Sequence, residues 1–303
     1  MASAQSYEQK LYLQNPLLCE TVSPLLSIEL LQDSDAHLPP RPSLCKYGDY
    51  KLILSQTIFH PQGGGQPSDV GYISTIDNNS HEIHDNEKNS ITIVTPHYLF
   101  QVNHVQYNPL TERIEHIGNI LTGNYELWQS FIHQNMKLEI DSEKRRLYQR
   151  LHSFGHLIDA AIQRLGYWNQ LTVGKGYHFP DGPYVEYQIN SDDFIRELDD
   201  PQNTQEFLSL LIFEIQNLIT EGMESKFVII SEEEAHTLLS ESVISSSFPA
   251  TSPSENSKLI RVVTIAGSSC PCGGTHVQNT IELDGLQVTK IRKKKKTLKI
   301  SYG

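Results

Sequence analysis

The sequence predicts an α+β protein: a β-rich, barrel-like N-terminal domain over residues 1–140, followed by an α+β domain over residues 141–303. Three observations carry this. Between about Gln9 and Met136, short apolar runs such as YKLILSQTIF, VGYISTI and NSITIVTPHYLFQV are separated by Pro, Gly, Asn and Asp, with little helical periodicity. At Asp141 the pattern changes abruptly, and Leu147, Leu151, Phe154, Ile158, Ile162 and Leu165 recur at three- and four-residue steps, the period of one helical face. Beyond Gly166, strand-like and helix-like segments alternate.

In order, the first domain reads as short strands linked by turns. Asp141 or Ser142 caps the amphipathic helix and Gly166 stops it. Strands are expected at LTVGKGYHF and YVEYQIN, then a long helix through NTQEFLSLLIFEIQNLITEGM, strands at FVIIS and LIRVVTI, and a hairpin between Gly285 and Tyr302. The Ser- and Pro-rich stretch ESVISSSFPATSPSENSK reads as an exposed loop. No internal repeat is found.

With 303 residues, 38% of them hydrophobic, the chain is long enough for two folded domains with a real core. The first residues lack a basic start followed by an unbroken apolar run, and no stretch approaches the eighteen apolar residues of a membrane span, so a cytoplasmic protein without a membrane partner is expected. No obligate protein partner is evident either. Four cysteines in such a length do not make a disulfide framework; Cys270 and Cys272, close to a histidine, suggest metal chemistry instead. The net charge of -12 opposes a polyanionic partner, yet the last fourteen positions hold seven of the 24 basic residues and no acid. Phosphate contacts are therefore expected there, at Lys293, Lys294, Lys295 and Lys296.

Three motifs carry chemistry. His152 and His156 lie four residues apart on the predicted helix, which places two imidazoles one turn apart on one face, where they can chelate a single ion. Ser269-Cys270-Pro271-Cys272-Gly273-Gly274-Thr275-His276 adds thiol and imidazole donors in a tight turn, and three nitrogens with one sulfur suit zinc. Cys272 is the favoured ligand, with Cys270 as its competitor. Four protein donors leave open whether the ion is catalytic or holds the pocket together. The third motif, residues 57–69, contains Gly63, Gly64 and Gly65 followed by Gln66, Pro67, Ser68 and Asp69, a turn whose backbone can approach another surface closely.

Taken in this order, the His-x-x-x-His helix, the Cys-Gly-Gly-Thr-His turn and the Gly-Gly-Gly-Gln-Pro-Ser-Asp loop resemble the editing domain of alanyl-tRNA synthetase and its freestanding AlaX-type relatives. The resemblance spans roughly residues 51–302. It implies one zinc at His152, His156, Cys272 and His276, and a trans-editing hydrolase that cleaves the aminoacyl ester of mischarged tRNA(Ala), chiefly Ser-tRNA(Ala) and also Gly-tRNA(Ala). Gly63, Gly64, Gly65, Gln66, Lys175 and Thr275 become expected substrate contacts, with Gln66 and His178 as catalytic candidates and no general base assigned. A synthetase pocket sized for alanine cannot sterically exclude glycine and rejects an added hydroxyl by only about two orders of magnitude, so a second hydrolytic site is the physical remedy. Two departures stand out: Gly155 precedes the second helix histidine where the family commonly has threonine, and His60 stands where its kin often have tyrosine. Recognition of a serine hydroxyl is thus expected to be arranged differently here. The residues leave two alternatives, a non-enzymatic zinc-stabilised tRNA-binding protein and a zinc hydrolase of another aminoacyl-tRNA.

Overall fold

The computed structural model of the chain describes residues 9–31, 44–76, 81–84, 90–93, 97–239 and 259–303. Its contacts divide it into two compact units: Met1–Gln62 with Ser68–Arg145, and Gly63–Pro67 with Arg146–Gly303. The expected loop at ESVISSSFPATSPSENSK lies outside the described residues.

In the first unit, six strands among the described residues close a barrel, in the order Asn135–Ile140, Glu20–Leu30, Tyr50–Leu54, Arg113–Ile120, Leu99–Asn108, Gly71–Thr75. The strand alternation explains the closure. In Asn135–Ile140, Met136, Leu138 and Ile140 are buried while Lys137 and Glu139 between them are not, so one face of each strand fills the interior. Leu25, Leu52, Leu54, Ile73, Phe100 and Ile114 join them in that core. Closing the sheet leaves these six strands no free edges.

The residues flanking the Gly-rich loop are tied down within this unit. His60 and Asp69 exchange backbone and side-chain bonds: the Asp69 N–H donates to His60 O at 3.0 Å, and the His60 N–H donates to Asp69 Oδ2 at 2.5 Å. Arg145, 2% exposed, donates from Nε to Asp69 Oδ1 at 2.9 Å, from its other nitrogens to Pro16 O and Ile58 O, and forms a buried ion pair with Asp69. Such a pair is tolerable without water because its hydrogen bonds are met by protein partners.

The second unit is built on the helix Ser142–Arg164. Asp141 caps it, its Oδ1 accepting from the Lys144 N–H at 3.0 Å, and Gly166 follows with φ 83°, a backbone only glycine adopts freely. Leu151, Phe154, Leu157, Ile158 and Ile162 form its apolar face, but Leu147, expected in that stripe, is 38% exposed. Two sheets follow among the described residues, a four-stranded one in the order Leu171–Tyr177, Tyr184–Ile189, Thr297–Tyr302, Val288–Lys294 and a three-stranded one in the order Lys226–Ser231, Leu259–Ile265, Ser268–Pro271. The helix Pro201–Glu221 is bounded by its Asp200 cap and Gly222 at φ 67°. The predicted terminal hairpin is the pair Val288–Lys294 and Thr297–Tyr302, turning at Lys295. No helix among the described residues is long and apolar enough to cross a membrane.

Candidate functional site

His152 and His156 project from the same face of the helix, their ring centroids 5.0 Å apart. The turn that meets them is shaped by Arg261, whose guanidinium donates to Cys272 O at 2.8 Å and Gly274 O at 3.0 Å. Gly274 is required where it stands: a Cβ there would lie 2.1 Å from His152 Cε1 and 2.8 Å from Gln66 Oε1. The result is a cluster in which one donor atom each from His152, His156, Cys272 and His276 lies within 4.8 Å of every other.

The donor set fits a tetrahedral metal. Cys272 Sγ is 3.3 Å from His276 Nε2 and 3.6 Å from His152 Nε2. Ideal zinc bonds to nitrogen and sulfur at a tetrahedral angle separate the two donors by about 3.6 Å. The outer nitrogen of each ring is occupied: His152 Nδ1 contacts Gln66 Oε1 at 2.7 Å, His276 Nδ1 contacts Ser153 Oγ at 3.2 Å, and His156 Nδ1 lies 3.3 Å from Cys270 Sγ and 3.7 Å from Asp159 Oδ2. Histidine ligands use their other nitrogen in this way, held by an oxygen that fixes tautomer and orientation. His156 Nε2 is buried without a hydrogen-bond partner.

The tautomer of His152 follows from its neighbours. Both Gln66 and Thr275 are fully buried, and the Thr275 N–H, which can only donate, reaches Gln66 Oε1 at 3.0 Å. That atom is therefore the amide oxygen, while Gln66 Nε2 donates to Thr275 Oγ1 at 2.8 Å. His152 must donate to the same oxygen through Nδ1–H, which makes Nε2, 3.6 Å from Cys272 Sγ, the acceptor nitrogen of the ring. Burial pushes the Cys272 thiol up, but His156, the Gly274 N–H and Arg261 outweigh it and bring it below the usual thiol range. Cys270 stays above that range because burial dominates. Geometry favours Cys272 as the metal donor, since its Sγ faces both His276 Nε2 and His152 Nε2, whereas Cys270 Sγ faces His156 Nδ1.

The Gly-rich loop packs with this cluster as part of the second unit. Gly63 and Gln66 close it with reciprocal backbone bonds of 2.9 and 3.2 Å. Gly65, at φ 78°, accepts from the His178 N–H at 2.8 Å, and a Cβ there would lie 2.5 Å from Gly176 O. Gly64 has no atom within 4 Å of its Cβ position.

His178 stacks on His152, centroids 4.6 Å apart, and contacts Tyr302 Oη through Nδ1 at 2.5 Å. Tyr302 gives its only proton to Leu151 O at 3.0 Å, so His178 is the donor to Tyr302 and keeps a bare Nε2. Burial, with a smaller contribution from the charge of His156, lowers its pKa to about 3. The space that a side chain at position 155 would use is filled by this ring, since a Cβ on Gly155 would stand 2.6 Å from His178 Cε1.

Lys175 is exposed, at an irregularity between Val173 and Gly176. The lysine run does not stay together: Lys293, 13% exposed, donates to Ile195 O at 2.6 Å and pairs with Asp199, while Lys296 pairs with Asp192 at 3.3 Å. Sequence reasoning missed Ser153, Asp159, Tyr187 and Tyr302, the groups behind the histidines. Tyr187 donates to Asp159 Oδ1 at 2.5 Å. Their signal was faint: Ser153 and Asp159 are polar residues on a helix face that should otherwise be apolar.

Comparison with known proteins first defines the class. Residues 260–299, which include the Cys-Gly-Gly-Thr-His turn, match the family described as the threonyl and alanyl tRNA synthetase second additional domain. The particular relatives narrow this. The chain is 24% identical to the alanyl-tRNA editing protein AlaX-M of Methanosarcina barkeri over 258 residues, 84% of this chain and 88% of that protein. Identity to the same-named protein of Methanosarcina acetivorans is 26% over 262 residues, covering the same shares. An alanine–tRNA ligase of Methanobrevibacter smithii is 26% identical over 249 residues, 81% of this chain but 23% of the ligase. The resemblance to alanyl-tRNA editing proteins thus extends over most of the chain.

Proposed function

We propose that this protein is a cytoplasmic trans-editing hydrolase that deacylates mischarged tRNA(Ala), chiefly Ser-tRNA(Ala) and secondarily Gly-tRNA(Ala), with one zinc ion at His152, His156, Cys272 and His276. The observation that carries the reading is the convergence of three imidazole nitrogens and one thiol within 4.8 Å, with an oxygen acceptor or thiol behind each ring. The similarity to AlaX-M proteins supports the substrate class. Zinc, when bound, supplies Lewis acidity for an ester carbonyl.

The chain's own residues do the rest. Gln66 holds His152 in the ligating tautomer, which makes it a positioning residue more than a substrate contact, and Thr275 in turn holds Gln66. The bare Nε2 of His178 accepts a hydrogen bond from substrate or from water, and Tyr302 with Leu151 O keeps that nitrogen free. Gly63, Gly64 and Gly65 give a loop without side chains beside the cluster, and Lys175 offers an exposed cation. Hydrolysis adds water to the ester carbonyl and returns the proton to the departing ribose oxygen, so the products are the free amino acid and intact tRNA.

The test pairs metal content with hydrolysis. Wild type should hold one zinc per chain and release serine from Ser-tRNA(Ala); His152→Ala and Cys272→Ala should lose both properties, whereas Cys270→Ala should keep most of its metal. Full zinc occupancy in His152→Ala and Cys272→Ala would remove the ligand assignment. Zinc-loaded protein without deacylase activity would favour a non-enzymatic tRNA-binding role.

A further inference from the structure

The four-stranded sheet has one face in the core and one turned away from it. Leu171, Val185, Tyr187, Ile189, Leu298, Ile300 and Tyr302 face inward. Alternation and register then fix the other face. Arg292 lies opposite Lys299, Lys294 opposite Thr297, and Lys290 opposite Ser301, so Lys290, Arg292, Lys294 and Lys299 share the outer face. Lys293 pairs with Leu298 and falls on the inner side, which is why it is nearly buried and reaches Ile195 O and Asp199 with its ammonium. The basic run that looks uniform in sequence is therefore sorted by strand geometry, with Arg292 and Lys294 on the outer face and Lys293 on the inner one.

The same face carries aromatic rings. Tyr177 and Tyr184 are opposite one another and stacked, centroids 5.5 Å apart at 22°, and Phe179 stacks on Tyr177 at 4.7 Å and 13°. The Lys299 ammonium stands 3.2 Å from the Tyr184 ring centroid. Two carboxylates belong to this region: Glu186, opposite Lys299, and Asp181, which accepts from the Tyr177 hydroxyl at 2.9 Å. On the outer strand face itself the four cations thus meet one acid, in a chain whose net charge is -12.

Tyr177 and Phe179 flank His178 in the chain. The alternation that turns His178 onto His152 turns its two neighbours to the outer side. An unbroken three-residue segment therefore joins the stacked row to the metal-type cluster.

We infer that this outer face is an RNA-docking surface: Lys290, Arg292, Lys294 and Lys299 meet phosphates, and the row ending in Phe179 stacks an unpaired base near the tRNA acceptor end. The occupant follows from charge complementarity and from the pairing of cations with aromatic faces, which is how single-stranded nucleic acid is held without reading its sequence. The inference rests on the proposed aminoacyl-tRNA substrate. It replaces the expectation that the four consecutive lysines act as one patch.

Binding of uncharged tRNA(Ala) by the zinc-loaded full chain, measured across a salt series, tests it. The triple variant Lys290→Ala, Arg292→Ala, Lys299→Ala should bind more weakly and flatten the slope of log affinity against log salt by about 0.7 to 0.9 per lost contact. Phe179→Leu should weaken binding by roughly five-fold or more with the slope unchanged, since stacking carries no counterion release. Lys293→Ala should keep the wild-type slope. Zinc content equal to wild type and a single cooperative melting transition in each variant confirm that folding is intact. A wild-type slope in the triple variant, or a slope change in Lys293→Ala as large as in the triple variant, would overturn the surface, even with Ser-tRNA(Ala) hydrolysis intact. Wild type that binds with the expected slope but hydrolyses nothing would instead remove the editing reading and leave the surface standing, and wild type that binds no tRNA would remove both.

Discussion

At the scale of single residues, Gln66 shows how one amide can decide the chemistry of a neighbour. It is fully buried, and its oxygen takes protons from both the Thr275 N–H and His152 Nδ1. Removing it leaves His152 free to change tautomer and leaves the Thr275 N–H buried and unpaired. Gln66→Ala is therefore expected to lower zinc affinity by about 10- to 100-fold, the usual effect of losing a group that orients a ligand. Competition with a chromogenic chelator measures this directly, and an affinity equal to wild type would return Gln66 to a direct substrate role. The four donors were legible in sequence because two chelating pairs at a spacing of four identify themselves. Ser153, Asp159 and Tyr302 were not, because nothing in sequence says which buried polar group lies behind which ring. Gly155 was legible only as a departure; the structure gives its reason, that the His178 ring occupies the space a side chain would need.

At the scale of elements, helical period made Ser142–Arg164 readable to within a residue of its Asp141 cap, and strand alternation made the β-rich half readable as strands. Barrel order was beyond it: one barrel pair, Asn135–Ile140 with Glu20–Leu30, joins segments more than a hundred residues apart. The Lys-rich strand was legible only as a run, since a period of two divides consecutive residues between opposite faces. The Gly-rich loop was legible as a close-approach turn, but sequence could not tell which glycine does the approaching. It is Gly65: both Gly64 and Gly65 have positive φ, 57° and 78°, but a Cβ would stand 2.5 Å from Gly176 O at Gly65 and meet open space at Gly64. Gly65→Ala should therefore cut hydrolysis of Ser-tRNA(Ala) by at least about ten-fold, because even a small misplacement of site groups has effects of that order. Gly64→Ala should be much milder, and comparison of the two initial rates under identical conditions checks the difference. Equal rates for both variants would mean that the close approach of Gly65 has no bearing on the site.

At the scale of the whole molecule, an acidic chain with a polyanionic substrate is coherent only if its positive charge is concentrated, and the outer face of the four-stranded sheet supplies that concentration. The similarity covers 88% of the length of the Methanosarcina barkeri AlaX-M protein and 23% of the Methanobrevibacter smithii ligase. The proposed function requires that the correct product be spared, and a Cβ at Gly155 would lie 2.6 Å from His178 Cε1, so His178 fills the place left by Gly155. The most direct measurement is the initial rate of deacylation of Ser-tRNA(Ala) beside that of Ala-tRNA(Ala), at equal concentration, with purified zinc-loaded protein. Rapid release of serine with alanine largely retained is the expected result; equal rates for the two, or no release of either, would contradict the proposed function.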